Sequence, residues 1–267
     1  MALNIVVCIK SVPDSEYYDS ITIDPVKKTL VRTGIPTVIG SADKNAIEAA
    51  LRLKEKHGGS VTVISMGPPE ARAQLIEALA LGADQAYLIS DRRVGGADTL
   101  ATSYTISRAL AKVGVFDLVL AGNESDDGAT SHVPSQLGEW LGVSHMMDAI
   151  NVAYEDEAAL VSRKLEDGVG VYKVKLPCVV SIKRGANEVR YPNMMSLMSV
   201  KKKPFTVLSL DDLDEVDESF IGLKGSPSQC GELRSIEFNR DSVLLEGTEE
   251  EIAEAIINQM KKVVEIG

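Results

Sequence analysis

Several residue types are scarce in this chain, and each scarcity excludes a class of protein. Its 267 residues include three cysteines, Cys8, Cys178 and Cys230, which are odd in number and widely separated. This pattern provides neither a disulfide framework nor metal-ligand spacing, so we interpret the cysteines as reduced packing residues. Aromatic residues make up only 4% of the chain. The core must therefore consist mainly of Ala, Val, Ile and Leu, as in helices packed on a parallel sheet.

Basic residues and long apolar runs are scarce as well. The chain has 28 Lys and Arg against 39 Asp and Glu, a net charge of −11, which argues against nucleic-acid binding as its main task. No stretch approaches the roughly 20 apolar residues that a membrane span needs. The first ten residues lack the basic region and cleavage site of a signal peptide. We therefore expect a cytoplasmic globular protein with no membrane segment.

Up to about residue 145, short apolar runs alternate with segments of helical periodicity. Repeated strand-then-helix order implies parallel strands joined by right-handed crossovers. We predict an α/β fold with an open, mostly parallel sheet and helices on both faces. An insertion at 20–34 reads as a surface hairpin. The predicted strands are Leu3–Ile9, Val61–Met66, Gln85–Ile89 and Asp117–Ala121, and the predicted helices are Asp43–Lys56, Pro69–Leu81 and Ala97–Val113.

The later part of the chain has a different pattern. Four strands without intervening helices are predicted to extend the sheet antiparallel at one edge: Ile150–Tyr154, Ala159–Leu165, Gly170–Val174 and Cys178–Ile182. Residues 201–235 show little periodicity, and 211–218 carry six acids. An amphipathic helix is predicted over Thr248–Val264. We therefore predict a domain at 1–200 and an extended arm at 201–267, which ends in this helix and wraps a partner subunit because ordering it alone would cost too much entropy.

Ligands of an open parallel sheet bind beyond the carboxyl ends of its strands. Loops in those positions combine Gly with Ser, Thr or Asp at 65–69, 95–103 and 121–130. Glycines allow close backbone approach, and free N–H groups at a helix start bind phosphate oxygens. The alternative is that these residues only cap helices. Neither G-x-G-x-x-G nor a P-loop is present, so the common nucleotide fingerprints do not apply.

Other candidate residues leave alternatives open. His132 lies beside the last loop without a Ser, Cys or Asp partner for a catalytic triad, and no catalytic residue is predicted. Glu124, Asp126 and Asp127 suit metal, acid–base, ribose or cap contacts, although we predict no metal site. The cluster Met194, Met195 and Met198, followed by Lys201–Lys203, suits either an adaptable docking surface or a core turn next to a solvated face.

Taken together, these motifs give the chain a resemblance to a known family. The segments that carry it are 7–14, 65–68, 81–84, 96–102, 122–133 and 161–180. Over essentially its whole length the sequence resembles the β subunit of electron transfer flavoproteins, of the electron-bifurcating, FAD-binding type. The resemblance implies a fold of the adenine-nucleotide-binding type, an α subunit as partner, and either FAD or AMP bound at the strand ends.

The resemblance also implies which residues bind the cofactor. The segment with Asp98, Thr99 and Thr102 is similar to that of FAD-binding, bifurcating members, so FAD is expected and AMP is the alternative. The expected cofactor-binding residues are Cys8, Ile9, Lys10, Ser41, Asp43, Ser65, Met66, Gly67, Asp98, Thr99, Thr102, Gly122, Asn123, Asp127, Gly128, Ala129, Thr130 and Val133. A nucleotide-binding sensor without redox function is a third hypothesis.

The implied function is electron transfer between several partners. They are NADH, ferredoxin and a flavin-dependent acyl-CoA or 2-hydroxyacid dehydrogenase that docks at Tyr191–Met198, within a recognition loop at 187–200. The chain departs from the family at Gly40-Ser41, where Asn-Pro is common, and at 123–127. There Glu124 and Asp126 add negative charge, which we expect to disfavour an anionic flavin unless arginines of the α subunit offset it.

Overall fold

A computed structural model describes residues 2–23, 30–31, 34–192, 194–229, 231 and 242–263. The chain divides into two compact units, Met1–Gly231 and Glu232–Gly267. In the first unit the described residues form a sheet of nine strands with helices on both faces. This confirms the predicted α/β class.

The strands and helices follow the predicted order closely in the first half of the chain. The strands are β1 (Leu3–Cys8), β2 (Ser11–Pro13), β3 (Thr22–Ile23), β4 (Leu30–Val31), β5 (Thr37–Ile39), β6 (Gly59–Met66), β7 (Gln85–Ile89), β8 (Leu118–Gly122), β9 (Ser144–Glu155), β10 (Ala158–Lys164), β11 (Val169–Lys175), β12 (Cys178–Ile182) and β13 (Phe205–Leu208). The α-helices are α1 (Ser41–His57), α2 (Arg72–Leu81), α3 (Thr99–Val113), α4 (Val133–Leu141), α5 (Met194–Ser199) and α6 (Glu249–Val263).

The order of strands in the main sheet is β11-β10-β9-β12-β8-β1-β6-β7-β13. All neighbours from β9 to β13 pair parallel, whereas β10 is antiparallel to both β9 and β11. From β1 the chain proceeds to β6 on one side and later returns to β8 on the other. The strand order therefore reverses between β1 and β8, and such a switch point opens a crevice at the carboxyl edge of a sheet.

The predicted antiparallel pairing is found among β9, β10 and β11, but β9 joins the rest of the sheet parallel and the prediction is wrong for β12. This strand lies between β9 and β8, parallel to both, and all five of its residues are buried. Its sequence, Cys-Val-Val-Ser-Ile, is almost continuously apolar, which is typical of a central parallel strand covered on both faces. The loop after β12 consequently opens at the same edge as the loops after β1 and β8.

Residues 205–208 form an edge strand that periodicity did not predict. β13 pairs parallel with β7, and Ser90 N donates to Leu208 O at 2.8 Å. The acidic run that follows is stabilised locally, because Asp212 forms a capping box with Ser209 and Asp217 accepts a hydrogen bond from Ser219 N. The domain boundary after residue 200 stays a prediction; the first compact unit extends to Gly231.

The apolar core lies on both faces of the sheet. Helices α1 and α2 cover one face, where Ile47 and Leu75 are fully buried. Helices α3 and α4 cover the other, with Leu110 and Leu137 inside. Both faces of the central strands are thereby kept from water, and the carboxyl edge remains open for binding.

The predicted terminal helix and surface hairpin are both present. α6 begins after Thr248, which forms a capping box with Glu251: Thr248 N donates to the carboxylate at 2.8 Å and Glu251 N donates to Thr248 Oγ1 at 3.3 Å. β3 and β4 pair antiparallel, and the turn predicted between them lies outside the described residues. Within the described parts of the chain, no helix combines the length and apolarity needed to cross a membrane.

Candidate functional site

The crevice between β1 and β8 is bridged by one carboxylate. Asp43, in the first turn of α1, accepts hydrogen bonds from Lys10 N (2.8 Å) and Gly122 N (2.9 Å). The first of these amides follows β1 and the second ends β8. Asp43 therefore fixes the spacing of the two strand ends, and both of its carboxylate oxygens are engaged in doing so.

This bridge requires glycine at position 122. A Cβ on Gly122 would lie 2.5 Å from Asp43 Oδ1 and 2.8 Å from Ala42 Cβ, well inside van der Waals contact. The glycine is thus explained by close approach between α1 and β8 rather than by an unusual φ.

Asp43 is nearly enclosed, with 7% of its surface exposed. Burial raises the pKa of its carboxyl to about 7, while the hydrogen bonds from Lys10 and Gly122 act in the opposite direction. The effect of burial is larger, because the free-energy cost of removing an ionised carboxylate from water exceeds the stabilisation that two amide donors provide. The resemblance implies that Asp43 binds the cofactor; in the structure its carboxylate holds together the two loops at the crevice.

A second contact connects the same two loops. Lys10 Nζ lies 2.6 Å from Asp127 Oδ1 and 3.3 Å from Ser125 Oγ. Lys10 is half-exposed, so its ammonium can also face an anion in the crevice. Two of the predicted cofactor residues, Lys10 and Asp127, are thereby brought together across the switch point.

The start of α1 is occupied by a side chain from the β8 loop. Asp126 accepts hydrogen bonds from Ser41 N (2.8 Å) and Ser41 Oγ (2.6 Å), and Arg184 lies 3.8 Å from the same carboxylate. Asp126 therefore caps α1 in place of a residue at Gly40, which supplies no side-chain cap. The charge that we expected to repel a flavin is directed towards a helix start and an arginine.

The start of α4 is arranged differently. No side chain caps this helix, and Ala129 and Ser131 before it have positive φ values of 45° and 58°. His132 then returns to the right-handed region with φ −94°. A left-handed residue followed by a right-handed one turns successive N–H groups towards a common point, which forms an anion-binding nest. Ala129 N already donates to Ser125 O at 2.9 Å, and Pro134 in the first turn of α4 has no N–H. The backbone amides of residues 130–133 therefore make up the fitting phosphate cradle.

Two buried oxygen atoms among the predicted cofactor residues make no hydrogen bond to any described protein atom. They are Asn123 Oδ1 and Ser65 Oγ. The Asn123 amide is otherwise held, since Nδ2 donates to Asp148 Oδ1 at 3.3 Å. Unpaired buried polar atoms are costly, and a ribose hydroxyl or an adenine amine would supply the donor that these two oxygens lack. These residues fit an adenine nucleotide.

The residues at the ends of β1 and β6 contribute mainly apolar side chains that line the crevice. Cys8 and Ile9 are buried in the core, and burial raises the pKa of the Cys8 thiol to about 12. Met66 packs against the same core on its partly buried side. Their side chains therefore shape the site, and ligand contacts from Cys8 or Ile9 would have to use the backbone.

Asp98, Thr99 and Thr102 lie at the start of α3, at the same edge of the sheet. Asp98 caps this helix by accepting from Leu100 N (3.0 Å) and Ala101 N (3.1 Å). Its other oxygen accepts from Ser228 N at 2.9 Å, and its own amide donates to Ser226 Oγ at 2.8 Å. The Asp98 carboxylate is therefore engaged within the chain, while Thr99 and Thr102 remain partly exposed.

The methionine cluster is a surface feature. Tyr191, Met195 and Met198 are 93%, 82% and 76% exposed, and α5 carries the two methionines. Of the lysines that follow, Lys203 is not part of a free basic patch, because its ammonium donates to Leu79 O (2.8 Å) and Ala83 O (2.7 Å) at the end of α2.

The crevice holds further polar residues that sequence reasoning missed or left undecided. Arg184 was missed because β12 was placed at an antiparallel edge; correct placement would have brought its following loop to the crevice. Exposed His132 contacts Thr130 O through Nδ1. Over the described ranges, no group of His, Cys, Asp or Glu is arranged to hold a metal ion.

Comparison with known proteins identifies the family of this chain. Residues 27–213 match the electron transfer flavoprotein domain. The chain belongs to the electron transfer flavoprotein family. It is 39% identical over 260 residues to electron transfer flavoprotein subunit beta of Clostridium acetobutylicum, with 97% of this chain and 98% of the relative covered. The resemblance to the family's β subunits is thereby confirmed.

Two relatives carry names that place them in larger assemblies. One is the caffeyl-CoA reductase-Etf complex subunit CarD of Acetobacterium woodii, 38% identical over 97% of this chain and 98% of the relative. The other is the acryloyl-CoA reductase electron transfer subunit gamma of Anaerotignum propionicum, 35% identical over the same shares of both chains. Because the chain belongs to the electron transfer flavoprotein family and matches its β subunits, it functions in electron transfer.

Proposed function

We propose that this chain is the β subunit of an electron transfer flavoprotein that binds FAD at the β1–β8 crevice. With an α subunit it passes electrons between NADH, ferredoxin and a partner dehydrogenase, by flavin-based bifurcation or confurcation in the cytoplasm. The single observation that carries the proposal is the nest before uncapped α4, since the amides of residues 130–133 offer backbone donors to a pyrophosphate.

The chain's own residues would perform the binding and the orientation. Loop 130–133 would hold the phosphates, Asn123 would accept a hydrogen bond from the nucleoside, and Lys10 would add a positive charge. Asp43 would keep the two loops at a fixed spacing. When bound, FAD supplies the redox chemistry, and the protein tunes it through charge and hydrogen bonding.

Names of the relatives support an acyl-CoA type of partner dehydrogenase, because two of them are subunits of caffeyl-CoA and acryloyl-CoA reductase systems. The segment Tyr191–Met198, hereafter the docking segment, carries exposed Tyr191, Met195 and Met198 and is suited to that contact. Its thioethers are flexible and adapt to a partner's surface. In α6, half-exposed Ile256 and Met260 lie one turn apart and form an apolar face suited to the α subunit.

AMP is the second candidate ligand, and one observation favours it. The longer FAD would need the segment around Asp98, but that carboxylate is already engaged by Leu100, Ala101 and Ser228. AMP needs only the crevice itself. In that case the chain would relay electrons without dividing them.

The test is to denature the αβ complex purified from its host and identify the released nucleotides by mass. We expect two FAD molecules per heterodimer. One FAD with one AMP would contradict the FAD assignment and support the conventional carrier. Anaerobic NADH titration then separates the functions, because direct reduction by NADH is expected only of the bifurcating complex.

A further inference from the structure

The segment that precedes the docking segment is attached to α1 by a buried pair of amides. Asn45, 5% exposed, donates through Nδ2 to Asn187 O (2.7 Å) and Asn187 Oδ1 (2.9 Å). Its Oδ1 accepts from Gly185 N at 2.9 Å, and Asn187 Nδ2 donates back to Asn45 O at 2.9 Å. Every polar group of the Asn45 side chain is therefore used to hold residues 185–187 against the helix.

Arg190 makes the second attachment, immediately before the docking segment. Its Nε lies 2.7 Å from Glu48 Oε2, and its Nη2 lies 3.2 Å from Glu48 Oε1 and 3.1 Å from Glu55 Oε2. Nη1 also donates to Glu55. Such a fork between guanidinium and carboxylates fixes direction as well as distance.

The ion pair with Glu48 lies in a sheltered place. Glu48 is 3% exposed. Burial raises the pKa of Glu48, but hydrogen bonds from Arg190 and Arg52 outweigh it, so the pKa is lowered overall. Arg52 also donates to Glu188 O at 2.9 Å. The attachment of 185–190 is thus a connected network on one helix rather than an isolated surface pair.

The same helix begins in the nucleotide crevice. Ser41 and Asp43 occupy its first turn, and Asn45 and Glu48 follow on the next turns. At 1.5 Å of rise per residue, Glu48 lies only about 8 Å along the axis from Asp43. A short stretch of regular helix therefore connects the bridge between β1 and β8 to the base of the docking segment.

We propose that Asn45 and Arg190 are positioning residues that hold the docking segment in a fixed place relative to the nucleotide crevice, with α1 as the rigid connection. This inference rests on the proposed function, in which a partner dehydrogenase binds the docking segment. A dehydrogenase that binds the segment would then meet the complex in one orientation. Releasing the segment should weaken that encounter without altering the cofactor.

The experiment uses the αβ complex with Arg190→Ala, Arg190→Lys and the matched control Lys44→Ala. Lys44 belongs to the same helix but pairs with Glu77 of α2 at 3.3 Å. Arg190→Ala is expected to fold, because Glu48 keeps its ion pair with Arg52 at 2.6 Å. Measurements are amide hydrogen exchange over 191–199, nucleotide content, and steady-state reduction by an acyl-CoA or 2-hydroxyacid dehydrogenase that reduces the wild-type complex.

For Arg190→Ala we expect about tenfold faster exchange over 191–199 and about a tenfold higher KM for the complex. The kcat and nucleotide content should stay within about twofold of wild type, since the crevice contacts are untouched. Arg190→Lys should be intermediate, because one ammonium cannot bridge two carboxylates as a guanidinium does. Lys44→Ala should match wild type.

The inference is overturned if Arg190→Ala leaves both exchange and KM unchanged. It is equally overturned if kcat and nucleotide content fall together with the rise in KM, which would show a general structural role. A wild-type complex that lacks nucleotide, or that no such dehydrogenase reduces, would contradict the proposed function instead. Exchange over 191–199 would then still decide whether Arg190 positions the segment.

Discussion

Helices α1 and α4 both begin at the β1–β8 crevice, yet their first turns are used in opposite ways. At α1, Asp126 caps Ser41 and Asp43 bridges Lys10 to Gly122, so carboxylates of the chain itself engage the available amides. At α4, no side-chain cap is present, and Ser131 before it is left-handed. Every helix start carries a partial positive charge, but only one of these two starts is open to an external anion.

This difference explains how an acidic loop can lie beside the proposed phosphate site. Glu124 accepts a hydrogen bond from Ser131 Oγ at 3.1 Å, Asp126 is held by Ser41, and Asp127 pairs with Lys10. The charge of Asp127 is offset by the Lys10 ammonium and that of Asp126 in part by Arg184, whereas Glu124 has a neutral hydroxyl as its partner. Net charge in a sequence window therefore says little about anion binding until the partner of each carboxylate is known.

The largest expected effect comes from a substitution that removes the backbone nest before α4. Ser131→Pro cannot keep a φ of 58° and removes an N–H donor, so the nest is lost. We expect nucleotide affinity to fall about 100-fold, or ~3 kcal/mol, as for losing hydrogen bonds to a charged group. Titration calorimetry with FAD and AMP on nucleotide-free protein measures it.

Ser131→Gly is the matched control for that prediction. Both substitutions remove the hydroxyl that reaches Glu124, but glycine accepts positive φ without strain. Affinity in Ser131→Gly should stay within about threefold of wild type, less than ~1 kcal/mol. Equal losses in the two variants would show that the hydroxyl, rather than the backbone conformation, decides binding.

Next in size is the effect of Asp43→Asn on the α1 side. An amide can accept only through its oxygen, so one of the two N–H donors, Lys10 or Gly122, loses its acceptor. We expect the free energy of unfolding to fall by about 2 kcal/mol near neutral pH, the usual cost of an unpaired buried amide. Chemical denaturation of the purified protein measures this; an unchanged midpoint would contradict the bridge.

The same variant yields a pH dependence whose sign follows from burial. The pKa of Asp43 is raised to about 7 in the folded protein, above its unfolded value of 3.8. Folding therefore takes up a proton between these values, and the stability from Asp43 declines as pH rises from about 4 to about 7. Asp43→Asn lacks this contribution, so its stability deficit relative to wild type should shrink across that window. A deficit that grows with pH would contradict the raised pKa.

The smallest effect is expected from Asp126→Ala, which removes the cap of α1. Loss of a helix cap typically costs about 1 kcal/mol of stability. Nucleotide affinity should not fall, because the phosphate cradle lies at α4. Thermal unfolding and calorimetry of the same sample check both statements. A large loss of affinity would place the ligand at α1 and reverse the comparison.

The fold was predictable where each strand was followed by a helix of clear period. Gln85–Ile89 was predicted to the residue, and β1, β6 and β8 within a residue or two. β12 was misplaced because a short apolar run does not reveal which strands flank it. β13 was not predicted, since Phe-Thr-Val-Leu is a short edge strand in a charged region and depends on β7 for its pairing.

The site was predictable as a set of loops at one sheet edge, and less so as contacts. Sequence placed Lys10, Ser41, Asp43 and Asp127 at that edge, where the structure brings them together. It could not tell that Asp126 caps a helix 85 residues earlier. Such partnerships depend on strand order, which fixes the loops that meet. The positive φ of Ser131 could not be predicted either, because the residue that usually marks this conformation is glycine.

β13 has a consequence for where the chain can be cut. Ala86 N and Ser90 N of the β7 side are satisfied only from the segment 204–208, through Pro204 O and Leu208 O. A chain ending at residue 200 would expose these groups along a strand rich in apolar residues. Open strand edges invite pairing between molecules. With β13 in place, this open edge of the sheet is a strand of only four residues, and short edge strands are one means by which proteins limit such pairing.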